Sequence, residues 1–268
     1  MRTALRLGLS LAFAAVFAGS AMAAVAIGEQ YPLKNASFSF EGPFGTYDRA
    51  ALQRGFQIYN EVRKNCHSLN SVSFVSLTEP GGPEFTAAEA KAIAASYQIP
   101  ADPNKQGQLY DDKGNRLTRP GIVADHFPPP FPNEQAARAA FNGALPPDLS
   151  VIVKARDGGP QYVYSLLTGF GETPPKGFKV VDGKYFNPYF PGWNISMPPP
   201  LADGAVTYTD GTKATLDQEA RDVVTFLTWA GEPKMEQRKR LGFEVLVFLT
   251  VLAGLLYLSY RRVWKDAH

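Results

Sequence analysis

Cys66 and His67 are adjacent, and between them they offer a thiol and an imidazole at one point of the chain. Cys66 is the only cysteine among 268 residues. A Cys-His pair is the second half of C-x-x-C-H, the motif that attaches a c-type haem. The thiol can form a thioether to a haem vinyl group, and the imidazole next to it can coordinate the iron. In Val62-Arg63-Lys64-Asn65-Cys66-His67-Ser68 the first cysteine position is Arg63, so the motif reads R-x-x-C-H. Cys-His also arises by chance, and the half-motif gains weight only from the rest of the chain.

Partners for such a site are few. Residues 24–233 hold two histidines, His67 and His126, and one methionine, Met197. Imidazole and thioether together are the axial pair that favours reduced haem iron and raises its potential. Three prolines follow Met197 and stiffen the backbone that carries the sulfur. The competing reading of Met197 is a flexible core gap-filler, and residue chemistry alone leaves both open. His126 precedes Phe127-Pro128-Pro129-Pro130 and reads as a structural or exposed loop residue. One cysteine and two histidines without the usual spacing make no zinc set. No G-x-S-x-G, P-loop or Rossmann fingerprint occurs, and the carboxylates show no pairing that suggests hydrolysis.

The elements that must position these residues can be sketched. Asp48 is a good N-cap, and Leu52, Phe56, Tyr59 and Val62 fall at i, i+4, i+7 and i+10, which predicts a helix over 51–62. That helix delivers Cys66 and His67 at its C-terminal end. Thr86 caps an expected helix to Tyr97. Residues 100–133 read as a long loop, Asn133–Asn142 as a helix, and Leu149–Arg156 as a short helix broken at Gly158-Gly159-Pro160. Tyr162–Thr168 is helical, residues 171–203 are rich in Gly, Pro and aromatics, and Thr215–Trp229 is an amphipathic helix. The fold class is mainly α with long connections, as suits a shell wrapped round a large apolar ligand.

Two apolar runs set the address. Residues 1–23 read as a secretory signal: Arg2 and Arg6, an apolar run from Leu7 to Phe17, then Ala21-Met22-Ala23 as a cleavage site. The second run, 241–260, spans roughly 30 Å as a helix, the hydrocarbon thickness of a bilayer. Basic residues flank it on both sides, so the signal, not charge bias, orients it. Residues 24–233 are then an exported domain, 234–240 a basic linker, 241–260 a transmembrane helix and 261–268 a cytoplasmic tail. A lone thiol in an oxidising compartment is unusual unless a cofactor already uses it. The exported part carries 18 Lys+Arg and 22 Asp+Glu, a net −4, whereas 234–268 carries 7 and 3, a net +4. That balance argues against nucleic acid and suits a basic partner, or simply solubility, for the head, and a membrane surface for the tail.

Ordered blocks along the chain resemble the cytochrome c1 family over nearly the whole mature length. They include Phe40-Glu41-Gly42-Pro43-Phe44-Gly45, Leu52-Gln53-Arg54-Gly55, Glu79-Pro80-Gly81-Gly82-Pro83, Asn142-Gly143-Ala144-Leu145-Pro146-Pro147-Asp148 and Trp229-Ala230-Gly231-Glu232-Pro233. Others are Tyr162-Val163-Tyr164-Ser165, Tyr185-Phe186-Asn187-Pro188-Tyr189 and Met197-Pro198-Pro199-Pro200-Leu201. The resemblance implies a c-type cytochrome fold with one C-terminal membrane helix, in a bacterial inner membrane with the haem domain on the periplasmic side. It implies the electron-transfer subunit of ubiquinol–cytochrome c reductase, beside cytochrome b and the Rieske iron–sulfur protein. An electron arrives from the Rieske protein and leaves to a soluble or anchored cytochrome c. By family position His67 and Met197 are the axial ligands. Arg156 and Tyr162 meet the haem propionates, and Asn142 and Pro147 line the pocket. The family has cysteine where this chain has Arg63, so the haem c has at most one thioether, through Cys66. A working single-thioether cytochrome, a haem only coordinated or poorly attached, and a chance substitution at 63 are the open readings. Retention of both ligands and the pocket residues favours a bound haem. Arg63 is either an extra positive charge at the haem edge or a side chain in water. Phe141 is a second departure, at a position often polar in the family. The alternatives in function are a membrane-tethered cytochrome of another pathway and a structural subunit without haem.

Overall fold

Helix α1, Arg49–Ile58, begins where the Asp48 carboxylate accepts from the N–H groups of Ala50 and Ala51 at 2.9 and 3.2 Å. The computed structural model describes residues 31–265, so the signal expected over 1–23 lies outside the described residues. From Leu33 onward the described chain forms one unit. It is mainly helical, with two short antiparallel strand pairs.

The helix expected to run to Val62 changes character after Ile58. Residues Tyr59–Arg63 form a π-helical turn, closed by the Lys64 N–H donating to the Tyr59 carbonyl at 2.8 Å. The extra residue in the turn rotates the downstream side chains about the helix axis. Val62 is therefore only half-buried, and Arg63 is turned inward to 5 % exposure. Sequence periodicity could not show this, because it assumes one helical pitch throughout.

α1 packs on α5, Leu216–Gly231, which Thr215 caps by accepting from the Gln218 N–H. The contact is close at Gly55, where an added Cβ would lie 2.1 Å from the Asp222 carbonyl oxygen. Around it Phe56 and Tyr59 of the first segment each meet both Phe226 and Phe127, with ring centroids 5.7 to 6.2 Å apart. The Arg54 guanidinium binds the buried Asp222 carboxylate through Nε and Nη2 at 2.8 and 2.9 Å, so the charged pair at this seam is bidentate.

Helix α2, Ala87–Ala95, has a capping box between Thr86 and Glu89. The stretch expected as a long loop holds one strand of a pair, β1 (Gln98–Pro100) against β2 (Thr118–Pro120), with Ile99 opposite Arg119. Its end is tied to the core: Phe127 is buried and its N–H donates to the Val72 carbonyl at 3.1 Å. Helix α3 covers Glu134–Ala140, with Asn133 as its cap.

Residues 149–156, expected as a short helix, are a run of turns. The Leu149 N–H donates to the Ser68 carbonyl at 2.9 Å, and Asp148 and Ser150 side chains accept from the Asn70 and Ser71 N–H groups. Gly158, at φ 82°, does not merely end that segment; it precedes helix α4, Gly159–Thr168, with Pro160 in its first turn. The Gly/Pro/aromatic stretch after α4 contains β3 (Tyr185–Phe186) and β4 (Asn194–Ile195). Asn187 is fully buried at its base; its side chain donates to the Leu166 carbonyl at 2.8 Å and accepts from the Tyr189 N–H at 3.1 Å.

Helix α6, Met235–Val263, starts three residues after Glu232, so most of the basic stretch 234–240 is its first turns. Among the described residues it is the one helix long and apolar enough to cross a membrane, with a window of mean hydropathy 2.2 that is entirely unburied.

Candidate functional site

α1 and its π-helical turn end against a cleft whose other walls come from the 141–156 segment, α4 and the loop carrying Met197. It holds about 1090 Å³ of empty space, its solvent-open mouth included.

His67 and Met197, 130 positions apart in the chain, line this one cleft, and Cys66 lines it beside them. The turn after α1 sets the two residues of the half-motif, because the N–H groups of Cys66 and His67 both donate to the Arg63 carbonyl, at 3.1 and 3.0 Å. His67 is buried, and its Nδ1 lies 2.8 Å from the Pro147 carbonyl oxygen. A carbonyl can only accept, so Nδ1 carries the proton and Nε2 keeps its lone pair for a metal. Burial, and then the charge of Arg63, lowers the His67 pKa to about 4, which holds the imidazole neutral as ligation requires. Met197 is held on its loop downstream of β3 and β4, with Asn187 pinning the loop base.

The remaining expected residues divide. Pro147, Arg156 and Tyr162 line the cleft. Arg156 is exposed and Tyr162 half-buried, and the two interact electrostatically. Asn142 is not among the lining residues: it is exposed, at φ 50°, in the turn after α3. Asparagine tolerates that left-handed conformation better than most side chains, which accounts for its presence. His126 is exposed and not part of the cleft.

Two lining residues have roles that the sequence leaves open. Phe141 forms part of the apolar wall and meets Phe131 edge-on at 5.5 Å. Its one sequence signal is its place just after a helix whose own face is small and alanine-rich. For Arg63 the sequence allows a place at the ligand or a place in water, and the side chain is inside. Its Nη1 lies 4.0 Å from the Met197 sulfur and its Nε has no hydrogen-bond partner.

The lining fits haem on its chemistry. It is mostly apolar, it carries the exposed Arg156 guanidinium beside the Tyr162 phenol, and it contains no Asp or Glu. Such a lining suits a flat apolar ligand bearing two carboxylates. No cluster of three or more His, Cys, Asp or Glu side chains occurs among the described residues. An imidazole and a thioether alone do not make a metal cage; they serve an ion whose equatorial ligands come from a macrocycle.

Comparison with known proteins agrees. The model of the Cytochrome C1 family matches residues 38–267. The chain is similar to the cytochrome b/c1 of Bradyrhizobium diazoefficiens, 48 % identical over 277 residues, covering 96 % of this chain and 39 % of that protein. It therefore spans well under half the length of that relative. It is also similar to the cytochrome c1 of Rhodospirillum rubrum, 46 % identical over 249 residues, 87 % of this chain and 88 % of that one. The mitochondrial cytochrome c1 heme protein of Schizosaccharomyces pombe is 49 % identical over 218 residues, 81 % of this chain and 67 % of its own.

Proposed function

Since the chain belongs to the cytochrome c1 family, we propose that it is the haem-bearing, electron-transferring subunit of a ubiquinol–cytochrome c reductase. The observation that carries this reading is the convergence of His67, Met197 and Cys66 on one apolar, carboxylate-free cleft. When bound, haem c supplies a one-electron Fe(III)/Fe(II) couple. Everything else is the work of the chain.

His67 offers Nε2 to the iron because Pro147 engages Nδ1. Met197 offers its sulfur from the facing loop. Cys66 is the one thiol able to close a thioether, so attachment is single. Arg156 and Tyr162, both in the cleft lining, would meet the propionates with a cation and a phenol. Pro147 and Phe141 exclude water, and a dry wall limits the reorganisation that accompanies each change of charge. Asn142, outside the cleft lining, serves the left-handed turn after α3.

α6 anchors the head to a membrane. The head lies on the periplasmic side of a bacterial inner membrane, beside cytochrome b and the Rieske iron–sulfur protein. The Rieske protein donates the electron and a soluble or anchored cytochrome c accepts it. The net −4 of residues 24–233 supports this, because an acidic head steers a basic acceptor.

The experiment is a pyridine haemochrome spectrum of the full chain purified from a host that matures c-type cytochromes. The expected result is a haem that resists acid–acetone extraction, with an α-band characteristic of one thioether. A colourless protein overturns the reading, and co-purification without a cytochrome b or a Rieske protein moves it to another pathway.

A further inference from the structure

We infer that Arg63 is a potential-setting residue: a buried, charged guanidinium against the Met197 sulfur that favours Fe(II) over Fe(III) and so raises the reduction potential. This rests on the haem reading above, and it concerns this chain's own side chain at the position of the missing thioether.

The placement comes from the π-helical turn Tyr59–Arg63, whose extra residue directs Arg63 inward. Only 5 % of the residue's surface remains exposed. Its Nε has no hydrogen-bond partner, and the partner of Nη1 is the Met197 sulfur at 4.0 Å, a weak acceptor. No carboxylate of the cleft lining stands by to neutralise it. The polar groups that face it are the Cys66 thiol and the His67 imidazole.

A guanidinium stays protonated where an ammonium in the same surroundings is more easily stripped of its proton. Its charge therefore persists at neutral pH. Reduction adds one negative charge to the iron centre, so a fixed positive charge beside the sulfur ligand stabilises the reduced form. Burial keeps salt from screening that interaction. The same charge is costly while unpaired, so an apolar replacement of similar length should fold.

The test is a redox titration of the full-length, haem-loaded wild type beside Arg63→Leu and Arg63→Gln. Each protein is also recorded as its pyridine haemochrome and in the near-infrared sulfur-to-iron charge-transfer band. Expected is a clear fall in midpoint potential for both variants. The haemochrome α-band and the sulfur band stay the same in all three. Either neutral variant suffices should the other fail to accumulate.

Unchanged potentials in both neutral variants overturn the inference. A fall that comes with loss of the sulfur band also overturns it, because Arg63 would then be positioning Met197 and not acting by charge. A colourless wild type overturns the haem reading and this inference with it, whereas a coloured wild type with unmoved variants overturns this inference alone.

Discussion

Met197 and Asn142 show how differently two residues of one motif set can act. Met197 lines the cleft and offers a soft sulfur; Met197→Leu should leave haem bound through His67 and Cys66 while its midpoint potential falls markedly. An unchanged potential would take Met197 off the iron. Asn142 lies outside the cleft lining, in a left-handed turn at φ 50°. Asn142→Ala should cost about 1 kcal/mol of stability through backbone strain, and Asn142→Gly should cost little, with the visible spectrum unchanged in both. Denaturant midpoints of the three proteins check the ranking, and a spectral change in Asn142→Ala would return the residue to the pocket.

Among the elements, the seam between α1 and α5 is set by Gly55. A methyl there would meet the Asp222 carbonyl oxygen at 2.1 Å and the Phe226 Cβ at 2.7 Å. Gly55→Ala should therefore destabilise by about 3 kcal/mol through overpacking, read as a lower urea midpoint. The turn after β2 carries a pH-dependent contribution. Arg119 donates to both Asp125 oxygens at 2.6 and 2.8 Å and holds that carboxyl down to about 2. The unfolded carboxyl titrates at about 3.9, so the native state binds fewer protons between the two values. The contribution is complete above a pH of about 4 and disappears as the pH falls towards about 2. Urea midpoints measured across that range should decline, and Asp125→Asn should flatten the part of the decline that belongs to this pair. Helix starts at Asp48, Thr86, Asn133 and Thr215 were legible in sequence because each carries its own cap. The turns of 149–156 were not; their start is tied to residues 78 and 79 positions earlier, contacts that no local pattern records.

At the scale of the whole molecule, the head and α6 are joined by side chains as well as by backbone. The Glu236 carboxylate accepts from Arg49 Nη1 and Nη2 at 2.7 and 2.8 Å and from the Tyr47 N–H at 2.8 Å. The Lys239 ammonium donates to the Phe40 and Gly45 carbonyls at 2.7 and 2.9 Å. Phe44, largely exposed, meets Phe243 on α6 with ring centroids 5.8 Å apart. Bracing of this kind ties the first turns of α6 to the head and would set the angle between them. Glu236→Ala should free the first turns of α6; loss of about 1.5 kcal/mol of charge-assisted hydrogen bonding corresponds to amide exchange there on the order of tenfold faster. Unchanged exchange across 235–240 would show that the backbone alone sets the angle.

Residue identity by itself determined the chemistry available to this chain: a single thiol beside an imidazole, one methionine between residues 24 and 233, and an apolar run of membrane length. Those are local properties, written in composition and short-range pattern. Only the tertiary structure decided that the imidazole and the sulfur share a cleft, that Asn142 stays out of it and that Arg63 goes in. The physical reason is that a wall is made by segments distant in sequence, and one extra residue in a helical turn is enough to exchange which side chain faces it.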